Sequence, residues 1–139
     1  MSLSSAMTTP RLSLRIDLPN GSRLGPGKIA LLEAVQRRRS ISAAARDLDM
    51  SYRRAWLLID DVNRAFSEPA VATFPGRSQG SGAELTPFGE RLIAIYRTAE
   101  RRCKKAAAGS IEEIVAATDV AYERDGATRT GKKTSARDA

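Results

Sequence analysis

Histidine is absent from this 139-residue sequence. Its absence removes Ser-His and Cys-His nucleophile pairs, imidazole proton shuttles and most zinc sites together. Cysteine occurs once, at Cys103, which excludes an intrachain disulfide and any multi-cysteine metal site. Cys103 falls in an apolar stripe of helical spacing, where a thiol packs as a small core side chain. No apolar run approaches the roughly 20 residues that span a bilayer. The N-terminus lacks the apolar core of a secretory signal, so a cytoplasmic protein is expected. The paired carboxylates Asp60-Asp61 and Glu112-Glu113 are chain neighbours and would not face one another on a helix. With no acid–base pair and no activated nucleophile, the sequence predicts a non-enzyme that needs no metal and no cofactor.

Positive charge is what the sequence has in excess. Lys and Arg number 23 against 16 Asp and Glu, a net charge of +7. A basic surface attracts polyanions, with nucleic acid first and anionic membrane second. Plain solubility is the mundane alternative. Hydrophobic residues make up 42% of the chain, enough for a modest core in one domain of about 100 residues.

The pattern along the chain is mainly helical. Leu12, Leu14, Ile16 and Leu18 alternate with polar residues and predict an N-terminal strand, closed by Asn20-Gly21. Ile29, Leu32 and Val35, with Leu31 and Ala34 beside them, predict a helix from Lys28 to about Arg38. The run Arg37-Arg38-Arg39 then suits either the helix dipole or phosphate. Ser40 or Ser42 can cap a second helix carrying Ile41, Ala44, Ala45 and Leu48. After a turn at Asp47–Met50, Ser51 caps a third helix that runs to about Phe66. Its inward stripe is Ala55, Ile59, Val62 and Phe66, widened by Leu58 and by Trp56, which is expected in the core.

Two strands, Ala70–Phe74 and Ala83–Leu85, flank the cationic, glycine-rich tip PGRSQGSG. Thr86-Pro87 starts a long helix to Lys105, with Phe88, Leu92, Ile95, Tyr96, Ala99 and Cys103 as its seam. Ala106–Gly109 interrupts it, and Ser110–Glu113 reads as the capping box of a last short helix. The expected organisation is a flexible leader over 1–10, a domain over 11–105, a short helix over 106–124 and a disordered basic tail over 125–139. The segment Gly126–Lys133 nearly spells a phosphate-binding loop, but no strand precedes it and no helix follows it.

Strand, helix, helix, third helix, strand, basic tip, strand, long helix is the order of a winged helix-turn-helix domain. Small Ala44 and Ala45 let the second and third helices cross closely. The third helix then offers Ser51, Tyr52, Arg53 and Arg54 to a DNA major groove. Arg53 and Arg54 sit about 100° apart on a helix, so one suits a base and the other a phosphate. Arg77 at the hairpin tip suits a minor groove or a phosphate. The candidate DNA-binding residues are Ser40, Ser42, Ser51, Tyr52, Arg53, Arg54, Arg77 and Ser78.

The segments SISAAARDLDMSYRRAWLLIDDVNR and LTPFGERL together resemble the N-terminal DNA-binding domain of the ModE family of molybdate-responsive bacterial regulators. The likeness covers roughly Leu12 to Lys105. LTPFGERL alone is also similar to the segment after the wing in LysR-type regulators. The resemblance implies a winged-helix homodimer, held through helices at the domain's ends, that binds double-stranded DNA at a two-fold operator. It places Ser51 to Arg54 on the recognition helix and Arg77 in the wing. Full-length ModE proteins carry C-terminal oxyanion-binding domains, whereas this sequence offers only Thr134–Arg137 as an echo of the segment that opens them. The expectation is therefore a regulator of the ModE type without a small-molecule effector domain and without membrane contact. The competing expectation is a winged-helix interaction module that partners a separate effector-domain protein and does not read DNA.

Overall fold

Pro19-Asn20-Gly21 builds the first turn. Gly21 adopts a φ of +94°, its N–H donates to the Leu18 carbonyl, and the Asn20 carboxamide accepts from the Ser22 N–H. The computed structural model describes residues 9–77 and 80–124. The strands flanking this turn are short: β1, Ile16–Asp17, pairs antiparallel with β2, Arg23–Leu24. The predicted strand over Leu12–Leu18 thus shrinks to two residues. Its partner ends at Leu24 because Gly25-Pro26 opens the next helix, so residues before Ile16 have no strand beside them.

Helix α1, Pro26–Arg38, begins two residues earlier than the apolar pattern suggests, with proline in its first turn. Ile29, Leu31, Leu32, Ala34 and Val35 are buried. Arg39 ends the helix in the left-handed conformation, its N–H bonded to the Val35 carbonyl. The three consecutive arginines are engaged within the fold. Arg37 and Arg38 meet Asp47, and Arg39 meets Glu84.

Helix α2, Ile41–Asp47, and helix α3, Tyr52–Ala65, follow. They meet through fully or nearly fully buried Ala44, Ala45 and Ala55, which permits a close approach of the two backbones. Strands β3, Val71–Arg77, and β4, Gly80–Leu85, form an antiparallel hairpin with Val71 opposite Leu85. The hairpin strands are longer than the sequence pattern indicates. Side-chain alternation is lost at the glycine-rich tip, and backbone pairing carries on without it.

Helix α4 runs from Pro87 to Ala116. Thr86 Oγ1 accepts the Gly89 N–H and donates to the Pro69 carbonyl, so the predicted cap at Thr86 is in place. The predicted break at Ala106–Gly109 is absent. Three alanines favour helix, and Gly109 alone costs only about 1 kcal/mol, too little to end it. The predicted last helix over 106–124 is accordingly not a separate element. Ser110 caps nothing, and Tyr122 lies past the helix end in a turn.

Two compact units divide the chain, one through Ala107 and one from Ala108. The first holds a single apolar core in which α1 is central, closed by α2, α3, the base of the hairpin, and Leu92 and Tyr96 of α4. In the second, the carbonyls of Ile114 and Val115 are taken by the N–H groups of Ala117 and Thr118, ending the helix. The secondary structure is mainly helical with two small two-stranded sheets. No helix among the described residues is long and apolar enough to cross a membrane. The basic tail over 125–139, with the near phosphate-loop motif and Thr134–Arg137, lies outside the described residues, as does most of the leader.

Candidate nucleic-acid interface

The α2–turn–α3 unit is fixed from both ends. Ser40 Oγ accepts the Ala43 N–H at 3.1 Å and caps α2. The turn closes when the N–H groups of Leu48 and Met50 both reach the Ala45 carbonyl, with Asp49 at φ +55°. Asp is one of the few residues that tolerate this left-handed conformation. Ser51 Oγ then accepts the Arg54 N–H at 3.0 Å and caps α3.

Ala55, Ile59 and Val62 hold α3 to the core. At 100° per residue, Arg53, Leu57, Asp60 and Arg64 fall on the opposite line. Tyr52, Trp56 and Asn63 occupy one flank. The Asn63 side chain bonds the backbone of Ala70 and Val71, so this flank borders the hairpin. Arg54 occupies the other flank.

The first turn of α3 contains no acidic residue. Ser51, Tyr52, Arg53 and Arg54 are all exposed. Most arginines of the domain meet a carboxylate, including Arg38, Arg64 and Arg97. Among the described residues none pairs with Arg53 or Arg54. The result is a helix N-terminus with two uncommitted guanidinium groups, where the backbone dipole adds further positive potential. Asp60, the nearest acid along the helix, is bonded by Arg64 at 3.3 Å.

The hairpin is docked beside this end. The Ala83 N–H donates to the Arg39 carbonyl, and Gly82 lines a shallow cleft with Ile41, Ser42 and Tyr52. Ser42 is exposed there, whereas Ser40 is half-buried and spends its oxygen on the cap. The candidates Ser42, Ser51, Tyr52, Arg53 and Arg54 therefore share one surface. Arg77 ends β3 with its backbone opposite Gly80. Ser78 lies outside the described residues.

Trp56 departs from expectation. It is 44% exposed rather than in the core, and Leu57 beside it is 47% exposed. The inward stripe turns away before reaching Trp56, and a crossing built on alanines leaves an indole no interior site. The signal was present in the spacing: once Ala55, Ile59 and Val62 are set inward, Leu57 must face out.

No protein-family model matches the chain. Individual relatives do. The molybdenum-pterin-binding protein MopB of Rhodobacter capsulatus is 46% identical over 80 residues, 58% of this chain and 30% of that protein. The molybdenum transport protein ModE of Azotobacter vinelandii is 41% identical over 96 residues, 68% of this chain and 36% of that protein. This chain is related to the ModE family. A further ModE relative, the DNA-binding transcriptional dual regulator of Escherichia coli (strain K12), is 38% identical over 71 residues, 51% of this chain and 27% of that protein. The chain thus spans about a third of the length of the first two of these relatives.

Proposed function

We propose that this chain is the DNA-reading part of a ModE-type transcriptional regulator, a winged helix-turn-helix that binds a two-fold operator as a homodimer. The observation that carries the reading is the exposed, cationic, acid-free first turn of α3. A helix end of this kind matches the acceptor-rich floor and phosphate walls of a major groove. Arg53, on the line opposite the core, is assigned to base edges. Arg54, on the flank, is assigned to phosphate. The Tyr52 and Ser42 hydroxyls serve the backbone or a base from the cleft beside the hairpin. Ser40 and Ser51 build the unit through their caps, and the hairpin with Arg77 and Ser78 is the wing.

The homodimer reading is supported by α4. Ile95 is 62% exposed and lines an apolar groove with Ala94, Thr98, Ala99, Arg102 and Cys103. A second copy supplies the complementary face, and two recognition helices then address two half-sites. The relatives named as transcriptional regulators support the DNA-binding part of the reading.

The test is selection of duplexes from a random pool by the full chain, read by sequencing. A two-fold symmetric consensus is the expected result, with affinity falling steeply as salt rises because phosphate contacts release counterions. Absence of retained duplex at low salt, together with a stable complex with another protein, would instead favour an interaction module.

A further inference from the structure

Leu57 and Trp56 place apolar surface beside Arg53 on the outward side of α3, with Arg54 on the flank across from Trp56. Among the described residues neither arginine meets a carboxylate. Leu57 follows Arg53 by one turn, and Trp56 follows Tyr52 by one turn. Shallow depressions join them: Tyr52, Arg53, Trp56 and Leu57 line one, and Ser51, Arg53, Arg54, Leu57 and Leu58 another. Leaving an indole and an isobutyl group in water forfeits the free energy that burying them would give. Their neighbours narrow the choice of what covers them. A partner must offer hydrogen-bond acceptors, neutral or anionic, to Arg53 and Arg54 and apolar groups to Trp56 and Leu57, within a few ångströms of one another. The major groove offers both, as guanine O6 and N7, flanking phosphates, and the C5 methyl group of thymine.

We propose that Trp56 and Leu57 form an apolar reading patch for thymine methyl groups, set beside the guanidinium contact of Arg53. The proposal rests on the DNA-binding reading above and deepens it. The rise from Arg53 to Leu57 is about 6 Å along the helix axis, close to two base-pair steps of about 3.4 Å each. With α3 lying along the groove, each half-site carries a thymine about two base pairs from the guanine that Arg53 reads. Asp60, the next residue on that line, is held by Arg64 and does not oppose the approach.

The experiment uses the strongest duplex from the selection, with each thymine replaced in turn by deoxyuridine, which deletes the methyl group alone. At one or two positions in each half-site the wild-type chain should bind about fourfold more weakly, the value of one buried methyl group. Trp56→Ala or Leu57→Ala should abolish the difference at the matching position. Trp56→Phe and Leu57→Met, which keep apolar surface, should retain most of it. Both side chains are exposed, so thermal unfolding of all four variants should stay near wild type. Indifference of the wild-type chain to every uracil substitution overturns the thymine assignment and leaves DNA reading standing. Equal losses in wild type and alanine variants show that the methyl acts through duplex shape, and also overturn it. Failure to retain any duplex at low salt removes the DNA reading itself and this proposal with it.

Discussion

The hydroxyl of Tyr96 donates a 2.6 Å hydrogen bond to the carbonyl of Leu14, 82 residues away in sequence. The bond ties the segment before β1 to α4. Tyr96 is among the most deeply buried side chains of the domain, and its ring fills the core beside Leu92. Tyr96→Phe keeps the ring and orphans the carbonyl, and should cost about 1–2 kcal/mol in denaturant unfolding at neutral pH. Burial, and next the neighbouring Glu100 carboxylate, raise the phenol's pKa above its ordinary value. A raised folded-state pKa gives stability that is full below the unfolded value near 10 and fades as pH climbs through the folded one. The gap between wild type and Tyr96→Phe should therefore narrow in strongly alkaline buffer. A gap that stays constant with pH would show that folding does not shift the phenol's titration, and no gap at neutral pH would show that the bond contributes nothing.

Gly89→Ala should destabilise the domain by about 1–3 kcal/mol. A methyl group at Gly89 would sit inside the contact distance of the Ala70 carbonyl oxygen, a backbone atom already bonded by Thr86. Neither neighbour can give way without moving the hairpin base or the start of α4. Alanine raises helix propensity, so an increase in melting temperature would show that the contact relaxes freely.

The order of elements was legible because apolar periodicity changes with each one. Ala55, Ile59 and Val62 fix the inward face of α3, and Ser40, Ser51 and Thr86 sit at their helix starts with oxygen available. Lengths were less legible. β1 depends on where its partner stops, which Gly25-Pro26 decides from outside the strand. The continuity of α4 through Gly109 depends on a contest between one glycine and three alanines, a small energy difference that local punctuation does not reveal. The exposure of Trp56 was hidden for a different reason. Residue type suggests core, and only the finished crossing of α2 and α3 on alanines shows that the core has no room for it. Arg77 and Ser78 rest on the basic, glycine-rich composition of the tip and, for Arg77, on the family resemblance, with no side-chain geometry behind them.

Asp61 anchors a small polar cluster. It accepts from Lys28 Nζ at 2.6 Å and from Ser22 Oγ at 2.7 Å, and Lys28 also reaches the Arg23 carbonyl. The Lys28 hydrogen bond, followed by that of Ser22, holds the Asp61 carboxyl below its ordinary pKa. A depressed folded-state pKa gives stability present above the unfolded value near 3.9 and lost as pH falls through the folded one. The Asp61 side chain is 46% exposed, so solvent screening limits the gain to at most about 1 kcal/mol. Asp61→Asn should be less stable than wild type at pH 7, and the difference should shrink in buffers below pH 4. A difference independent of pH would assign the loss to packing rather than charge.

Ile95→Asp tests the assembly. Ile95 stands clear of its own core, so a carboxylate there should leave the melting temperature of the monomer nearly unchanged. In a dimer joined through α4 it would bury a charge against its symmetry mate and abolish association. Sedimentation should show wild type as a dimer and the variant as a monomer at equal concentration. DNA affinity should then drop most for operators with two half-sites and little for a single half-site. A wild-type chain that stays monomeric at high micromolar concentration overturns the dimer.

Arg53 and Arg54 share one helix turn, and their different bearings on it predict different binding phenotypes. Arg53 lies opposite the core, on the line that would enter a groove most deeply in the proposed complex. Arg53→Ala should cost about 1–3 kcal/mol on the selected duplex and relax base preference at one position in each half-site. Arg54 lies on the flank, where a groove wall would run. Arg54→Ala should weaken selected and random duplexes alike and lower the salt slope by about one per subunit. Competition binding across several salt concentrations reads both quantities at once. Interchanged results would rotate the docked helix about its axis, and uniform losses for both variants would reduce the first turn of α3 to a phosphate clamp.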